Sequence, residues 1–306
     1  MSTLDPEQNA RLMRLATYAS VATASTLIAV KLVAWAMTGS VALLSTLIDS
    51  SLDAAASLIN LWAVRHALTP ADHEHRFGHG KAEPLAGLGQ AAFIVGSGAL
   101  LLAQAVNRLQ HPVPVTNADI GTGVMVFSMA LTICLVWFQK YVLRRTRSVA
   151  ISADSLHYTG DVLMNGAVIV SLMLGQFLGW TSADPLFAIA IGAYLLWNAW
   201  TIALGSLDML MDRELPEEDR RRIRDLTLAV PNVRGMHDLR TRLSGQQGFI
   251  QLHLALDDHL PLIKAHAIAD QVEAAILAAF PHCDVLIHQD PASLHEDAPP
   301  FDGKAP

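Results

Sequence analysis

Asp49 and Asp53 are the only charged residues of the apolar run Val41 to Val64. His157 and Asp161 lie in a second such run, from about Val149 to Leu178. Each pair is spaced i, i+4, which puts both side chains on one helix face about one turn apart. An ionised carboxylate at the centre of a membrane helix costs roughly 2.5–3.5 kcal/mol on insertion scales. Such groups persist where they face a bundle interior and are neutralised by a partner, a proton or a metal ion. Three carboxylates and one imidazole converging between helices would make a four-ligand N/O cation site, a donor set that Zn²⁺ accepts in tetrahedral geometry. Polar contacts that only join helices would explain one isolated aspartate better than two pairs at the same spacing. The pattern points to a metal-ion transporter. Asp154, nearer the start of its segment, is a weaker ligand candidate, and Ser50 and Asn165 are candidates for supporting the ligands.

The elements that must position these residues read as membrane helices. The chain has 306 residues, 52% hydrophobic and 16% charged, with a mean hydropathy of +0.35. Six stretches reach the roughly 20 apolar residues of a spanning helix: Leu15–Met37, Val41–Val64, Leu85–Val106, Ile120–Phe138, Val149–Leu178 and Pro185–Leu207. Lys31 is expected to snorkel to the interface. Basic residues fall at Arg11 and Arg14, at Arg65, Arg76 and Lys81, and at Lys140, Arg144, Arg145 and Arg147, whereas the alternate loops contribute Arg108 alone. The positive-inside rule then puts both termini in the cytoplasm.

From about Asp212 the composition turns polar. A helix is expected over Arg220–Val230, strands over Met236–Leu243 and Phe249–Leu256 around a turn at Ser244–Gly248, a helix over Pro261–Phe280 and a strand over Asp284–Gln289. The fold class is therefore an all-α six-helix membrane bundle plus a small cytoplasmic α+β domain of order α-β-β-α-β. The expected division is 1–211 for the bundle, 212–290 for the domain and 291–306 for a disordered tail.

Two further clusters could hold metal. Asp72, His75 and His79 share one loop, in which His73 and Glu74 could replace any member, and a solvated polar loop is the plain alternative. His237, His253, His266, His288 and Asp290 crowd the soluble domain, with His288 and Asp290 on one strand face. Zinc held between two such domains could join a dimer. The net charge of −7 with no Lys/Arg-rich block excludes nucleic acid as an expected partner. Cys134 and Cys283 belong to no CxxC motif, and their predicted placement in different domains argues against a disulfide.

These residues together resemble the cation diffusion facilitator family, and most closely its bacterial zinc/iron efflux branch. The resemblance covers nearly the whole chain. It rests on Leu47-Ile48-Asp49-Ser50-Ser51-Leu52-Asp53, on Arg76 to Glu83, on Asp154-Ser155-Leu156-His157 with Asp161, on His237 to Arg242, and on Ile287 to Pro291. It implies a transport site at Asp49, Asp53, His157 and Asp161, a loop site at Asp72, His75 and His79, and a binuclear cytoplasmic site at His237, His253, His266, His288 and Asp290, with Gln289 as an additional contact. It also implies a metallochaperone-like soluble domain, a homodimer with a charged contact at Lys81 and Asp212, and a multi-pass protein of the bacterial inner membrane. Manganese-transporting relatives tend to carry Asp at the position of His157, which argues against manganese.

No GxxxxGK[ST] loop is present, so an ion gradient is the expected energy source. Carboxylates crowded together out of water resist ionising together, so the metal-free site is expected to hold protons that a divalent ion displaces. The expected function is proton-coupled antiport of Zn²⁺ out of the cytoplasm, with Fe²⁺ or Cd²⁺ as other cargo and no enzymatic activity. An intramembrane aspartyl protease has no role for His157 and Asp49. A membrane metal sensor without transport is the better rival, and flux separates the two.

Overall fold

The computed structural model describes residues 6–39, 41–110, 119–178 and 183–293, in two compact units divided between Leu207 and Asp208. The tail expected after Pro291 lies, from 294 onward, outside the described residues.

The first unit contains six helices: α1 (Pro6–Thr38), α2 (Val41–Ala67), α3 (Ala82–Gln110), α4 (Asp119–Thr146), α5 (Val149–Leu178) and α6 (Ala183–Leu210), the last of which runs on past the division. At 1.5 Å per residue each exceeds the roughly 30 Å of a bilayer core, so most extend by polar turns past the apolar stretch that announced them. Among the described residues five of them, all but α5, are long and apolar enough to cross a membrane. The surface agrees with that reading. Trp137, Trp197, Leu100 and Trp62 are exposed, whereas Ser20, Ser57, Gln90, Gln139 and Asp154 are buried. Apolar side chains outside and polar ones inside suit a hydrocarbon solvent.

Three local devices set the helices around α5. Gly39 takes φ 62° just past α1 and donates its N–H to the Trp35 carbonyl, a left-handed stop that leads directly into α2. The first turn of α5 is capped from another helix, because the Val149 N–H donates to the buried Glu83 carboxylate of α3 at 2.9 Å. Asp154, nearly inaccessible, accepts hydrogen bonds from Ser20 of α1 at 2.6 Å, Gln139 of α4 at 2.7 Å and Gln90 of α3 at 3.4 Å. Asp154 is therefore a strut joining four helices. Read from the sequence as a weaker ligand candidate, it has that structural role instead, since its oxygens are taken by neutral donors.

The second unit continues with α7 (Glu217–Leu228), β1 (Gly235–Ser244), β2 (Gln247–Leu256), α8 (Leu262–Ala279) and β3 (Cys283–Pro291). The sheet order is β1-β2-β3, with β1 antiparallel and β3 parallel to β2. The parallel pair requires a crossover, and α8 supplies it. The strands run further into the expected turn than the sequence implied: Ser244 pairs with Gln247, leaving Gly245 and Gln246 as a two-residue hairpin with Gly245 at φ 59°. Ile250, Leu252, Leu254, Val272, Ile276 and Phe280 form the core between sheet and helices.

Replacing Asp154 by Leu should leave the Ser20, Gln139 and Gln90 donors facing an apolar side chain. At roughly 1–3 kcal/mol for an unsatisfied buried polar group, the detergent-solubilised variant should melt several degrees below wild type. Asp154→Asn, which keeps an acceptor, should lose less. Equal melting temperatures for Leu and wild type would remove the strut.

Candidate metal sites

In the membrane unit α2 and α5 meet through matched polar pairs. His157 Nε2 lies 2.9 Å from Asp53 Oδ1 and 3.9 Å from Asp161 Oδ2. One turn further along α2, the Ser57 and Tyr158 hydroxyls share a hydrogen bond of 2.8 Å. Ligand atoms on a tetrahedral Zn²⁺ with bonds of about 2.0–2.1 Å sit about 3.4 Å apart, and the two His157 distances bracket that value. Asp53, His157 and Asp161 each offer an atom within 4.8 Å of the other two. Asp49 is not in that triple. It lines the same cavity, of about 580 Å³, together with Phe93, Ile94, Met164 and Leu195, so reaching a shared ion takes a movement of its side chain or of α2. The apolar lining keeps the local dielectric low and strengthens the charge interactions at the cluster. Phe93 also meets the His157 ring edge-on, with centroids 5.6 Å apart, and helps hold the imidazole.

Lys31 departs from the snorkelling expectation. Its ammonium donates to Ser50 Oγ at 2.6 Å and to the Thr46 carbonyl at 3.3 Å, both on α2. It also interacts electrostatically with Asp53, Asp161 and Asp49. A polar partner on the facing helix and nearby carboxylates hold the cation inward. Ser50 is therefore engaged with Lys31, while Asn165 is half-buried one turn beyond Asp161.

The loop residues also come together. Asp72 lies 3.5 Å from His75 Nδ1 and 3.4 Å from His79 Nε2, and the three offer ligand atoms within 4.8 Å of one another. The Asp72 carboxylate accepts the N–H groups of His75 at 2.7 Å and Glu74 at 2.9 Å. Those hydrogen bonds, led by that from His75, hold it below the usual carboxylate range. Asp72 is thus ionised and aimed when an ion arrives.

In the second unit, register builds the site. His237 pairs with His253 across β1 and β2, and His253 pairs with His288 across β2 and β3, so three imidazoles form one row. Buried Asp290, two residues along β3, is their common partner. Its oxygens lie 2.8 Å from His253 Nδ1, 3.0 Å from His288 Nε2 and 3.4 Å from His237 Nε2. His266 stands apart on α8, exposed and 3.6 Å from Asp270. Gln289 is adjacent to the row on β3, and Asp212 binds Arg242 at 3.2 Å. Burial, with Asp219 adding to it, pushes the Cys283 thiol up to about 11, so it stays a neutral thiol and a poor metal donor.

Sequence reasoning overlooked Asp238. Strict alternation puts it on the face opposite His237, yet its carboxylate lies 3.7 Å from His253 Nε2. The reason is a bulge: the ladder slips between His237 and Arg240, and Asp238 adopts φ 44°. Bulges re-aim side chains in this way, and only a pairing register would have disclosed it.

Comparison with known proteins covers both units. Residues 17–211 match the family described as the cation efflux transmembrane domain, and residues 215–292 match the cation efflux protein cytoplasmic domain. The cation-efflux pump FieF of Salmonella paratyphi A is 50% identical over 284 residues, which is 93% of this chain and 94% of that protein. FieF of Salmonella agona matches to the same extent. Among solved structures, the zinc form of CzrB is 32% identical over 28% of this chain and 98% of its own, with a TM-score of 0.27.

Asp290→Ala should dismantle the row in the second unit, because one carboxylate contacts all three imidazoles. Even loss of a group outside the ligand shell costs about 10–100-fold in metal affinity, so this variant should lose at least about 100-fold at that cluster. Equilibrium dialysis of the purified full-length protein against buffered Zn²⁺ reads this out. Unchanged zinc content would remove Asp290 from the ligand set.

Proposed function

This chain belongs to the cation efflux family, and on that premise we propose that it exports Zn²⁺ from the cytoplasm in exchange for protons. Fe²⁺ and Cd²⁺ are further ions that the same donors accept. The observation that carries the reading is the cluster of Asp53, His157 and Asp161 at a cavity lined from α2, α3, α5 and α6, three of which are long and apolar enough to cross a bilayer. With Asp49 as the fourth ligand, the set offers one nitrogen and three oxygens.

Coupling follows from the donors themselves. A divalent ion needs deprotonated carboxylates and a neutral imidazole, so its arrival releases whatever protons the site held. In a low-dielectric cavity the carboxylates cannot all stand bare. Metal or protons must neutralise them whenever the site crosses the membrane. Alternating exposure of such a site exchanges one for the other, and an inward proton gradient sets the direction as efflux. Asp53 is the pivot, because it sits on α2 and contacts the His157 imidazole of α5. A change in the relation of these two helices opens or closes the ligand set.

The match of residues 215–292 to the family's cytoplasmic domain supports a homodimer in which metal held by the Asp290 row draws two such domains together. The distribution of basic loops supports both termini in the cytoplasm, and the likeness to cation-efflux pumps of Salmonella supports a bacterial inner membrane. The Asp72, His75 and His79 cluster is read as a further metal site.

Purified protein in liposomes with an imposed pH gradient tests the central proposal. Zn²⁺ flux should follow the gradient and collapse when an ionophore dissipates it. Asp53→Ala should fall to the level of protein-free vesicles. Flux indifferent to the gradient would sink the proton coupling, and flux retained by Asp53→Ala would sink the site.

A further inference from the structure

Resting on the reading of Asp72, His75 and His79 as a metal site, we infer that His66 is its fourth ligand. The completed site is a closed N₃O clamp that ties the end of α2 to the loop leading into α3. Four observations point there. The His66 and His79 ring centroids are 4.6 Å apart in an edge-on arrangement of 66°. The His75 and His79 centroids are also 4.6 Å apart, so two imidazoles from different segments approach the same ring equally closely. His79 itself is buried, with 5% of its side chain exposed, and its Nδ1 has no hydrogen-bond partner among the described residues. Asp72 faces the other nitrogen of that ring, Nε2.

Donor count and orientation complete the case. Two imidazoles and one carboxylate make three ligands, whereas a closed structural Zn²⁺ site takes four. His66 supplies the missing nitrogen from the last turn of α2, and the Trp62 indole one turn earlier stacks on it at 5.4 Å with planes 5° apart. That stacking fixes the plane of an otherwise exposed imidazole. His66 lies outside the three residues whose ligand atoms already fall within 4.8 Å of one another, so its ring must turn toward them when an ion binds. The clamp has a mechanical consequence, since α2 also carries Asp49 and Asp53. An ion held at the loop restrains the helix that bears half of the membrane ligands.

Cobalt spectroscopy on the full-length protein separates this inference from the reading beneath it. With Asp53→Ala and Asp290→Ala removing the other two clusters, Co²⁺ should bind at one site per chain with the intense visible bands of four-coordination. Adding His66→Ala should weaken that binding by at least about 100-fold, the upper end of what even a supporting residue costs, and leave the faint bands of higher coordination. His66→Gln should do the same, and His73→Ala should change neither affinity nor spectrum. Identical Co²⁺ binding with and without His66 would overturn the inference while leaving the loop site standing, as would loss on His73→Ala alone. Absence of any Co²⁺ site before His66 is touched would overturn both. Should the doubly substituted chain fail to fold, His66→Ala in the otherwise native protein should still lose one tightly bound ion per chain, and retention of that ion would overturn the inference.

Discussion

Carboxylates removed from water must be compensated, and the contact between Asp53 and His157 is where this chain meets that requirement most openly. At 2.9 Å it joins two helices through groups that either a proton or a metal can neutralise. α5 carries a contrasting solution one turn earlier. Asp154 is sealed among Ser20, Gln139 and Gln90 on three other helices, while Asp161 opens to the cavity. Neutral donors filling every direction make Asp154 part of the frame. Incomplete compensation at Asp53 and Asp161 leaves room for a cation. The same residue type is thus scaffold or site according to whether the protein itself finishes its hydrogen bonding.

The second unit reaches a similar donor set by different geometry. Helix periodicity places the four cavity-lining residues as two i, i+4 pairs, whereas strand register assembles the row of His237, His253 and His288. Asp290 lies two residues along β3 on the same face as His288 and is buried, so the carboxylate that faces all three imidazoles is the one least able to turn away. The bulge that brings Asp238 toward His253 adds a further acceptor at the rim. Cys283 begins the same strand, yet its buried, neutral thiol leaves the chemistry to nitrogen and oxygen.

The sequence made the framework legible because its periodicities are strong. Apolar runs of spanning length announced the helices, and the i, i+4 pairs within them announced residues that line one cavity. The soluble domain's strands were visible from the alternation of Ile250, Leu252, Leu254 and Leu256. What stayed hidden depended on relations between elements. Lys31 reads as an interfacial lysine by position, and only the neighbouring face of α2 turns it inward to Ser50. Asp238 reads as pointing away from His237 until a register slip reverses it. His66 reads as the polar end of a membrane helix, and its approach to His79 requires the path of the loop. Asp49 and His266 carry the reverse lesson. Their types suit metal, but Asp49 lies outside the membrane triple and His266 faces Asp270.

These relations converge on α2. Along one helix it presents Ser50 to Lys31, Asp53 to His157, Ser57 to Tyr158 and, at its end, His66 to His79. Its polar contacts are thus spread along its length, each with a different partner, with buried Ala63 and Val64 between the last two. Interhelical hydrogen bonds in membranes average well under 2 kcal/mol apiece, so any one can exchange without dissolving the bundle. α5 is anchored differently, by a capped first turn and a buried strut that shares donors with α1, α3 and α4. The two helices that carry the cluster are thus positioned by different means, α2 by polar contacts to α1, α5 and the loop and α5 by a capped first turn and a buried carboxylate. Asp49 and Asp53 share α2, but only Asp53 reaches the imidazole of α5, and Asp49 lines the cavity one turn earlier.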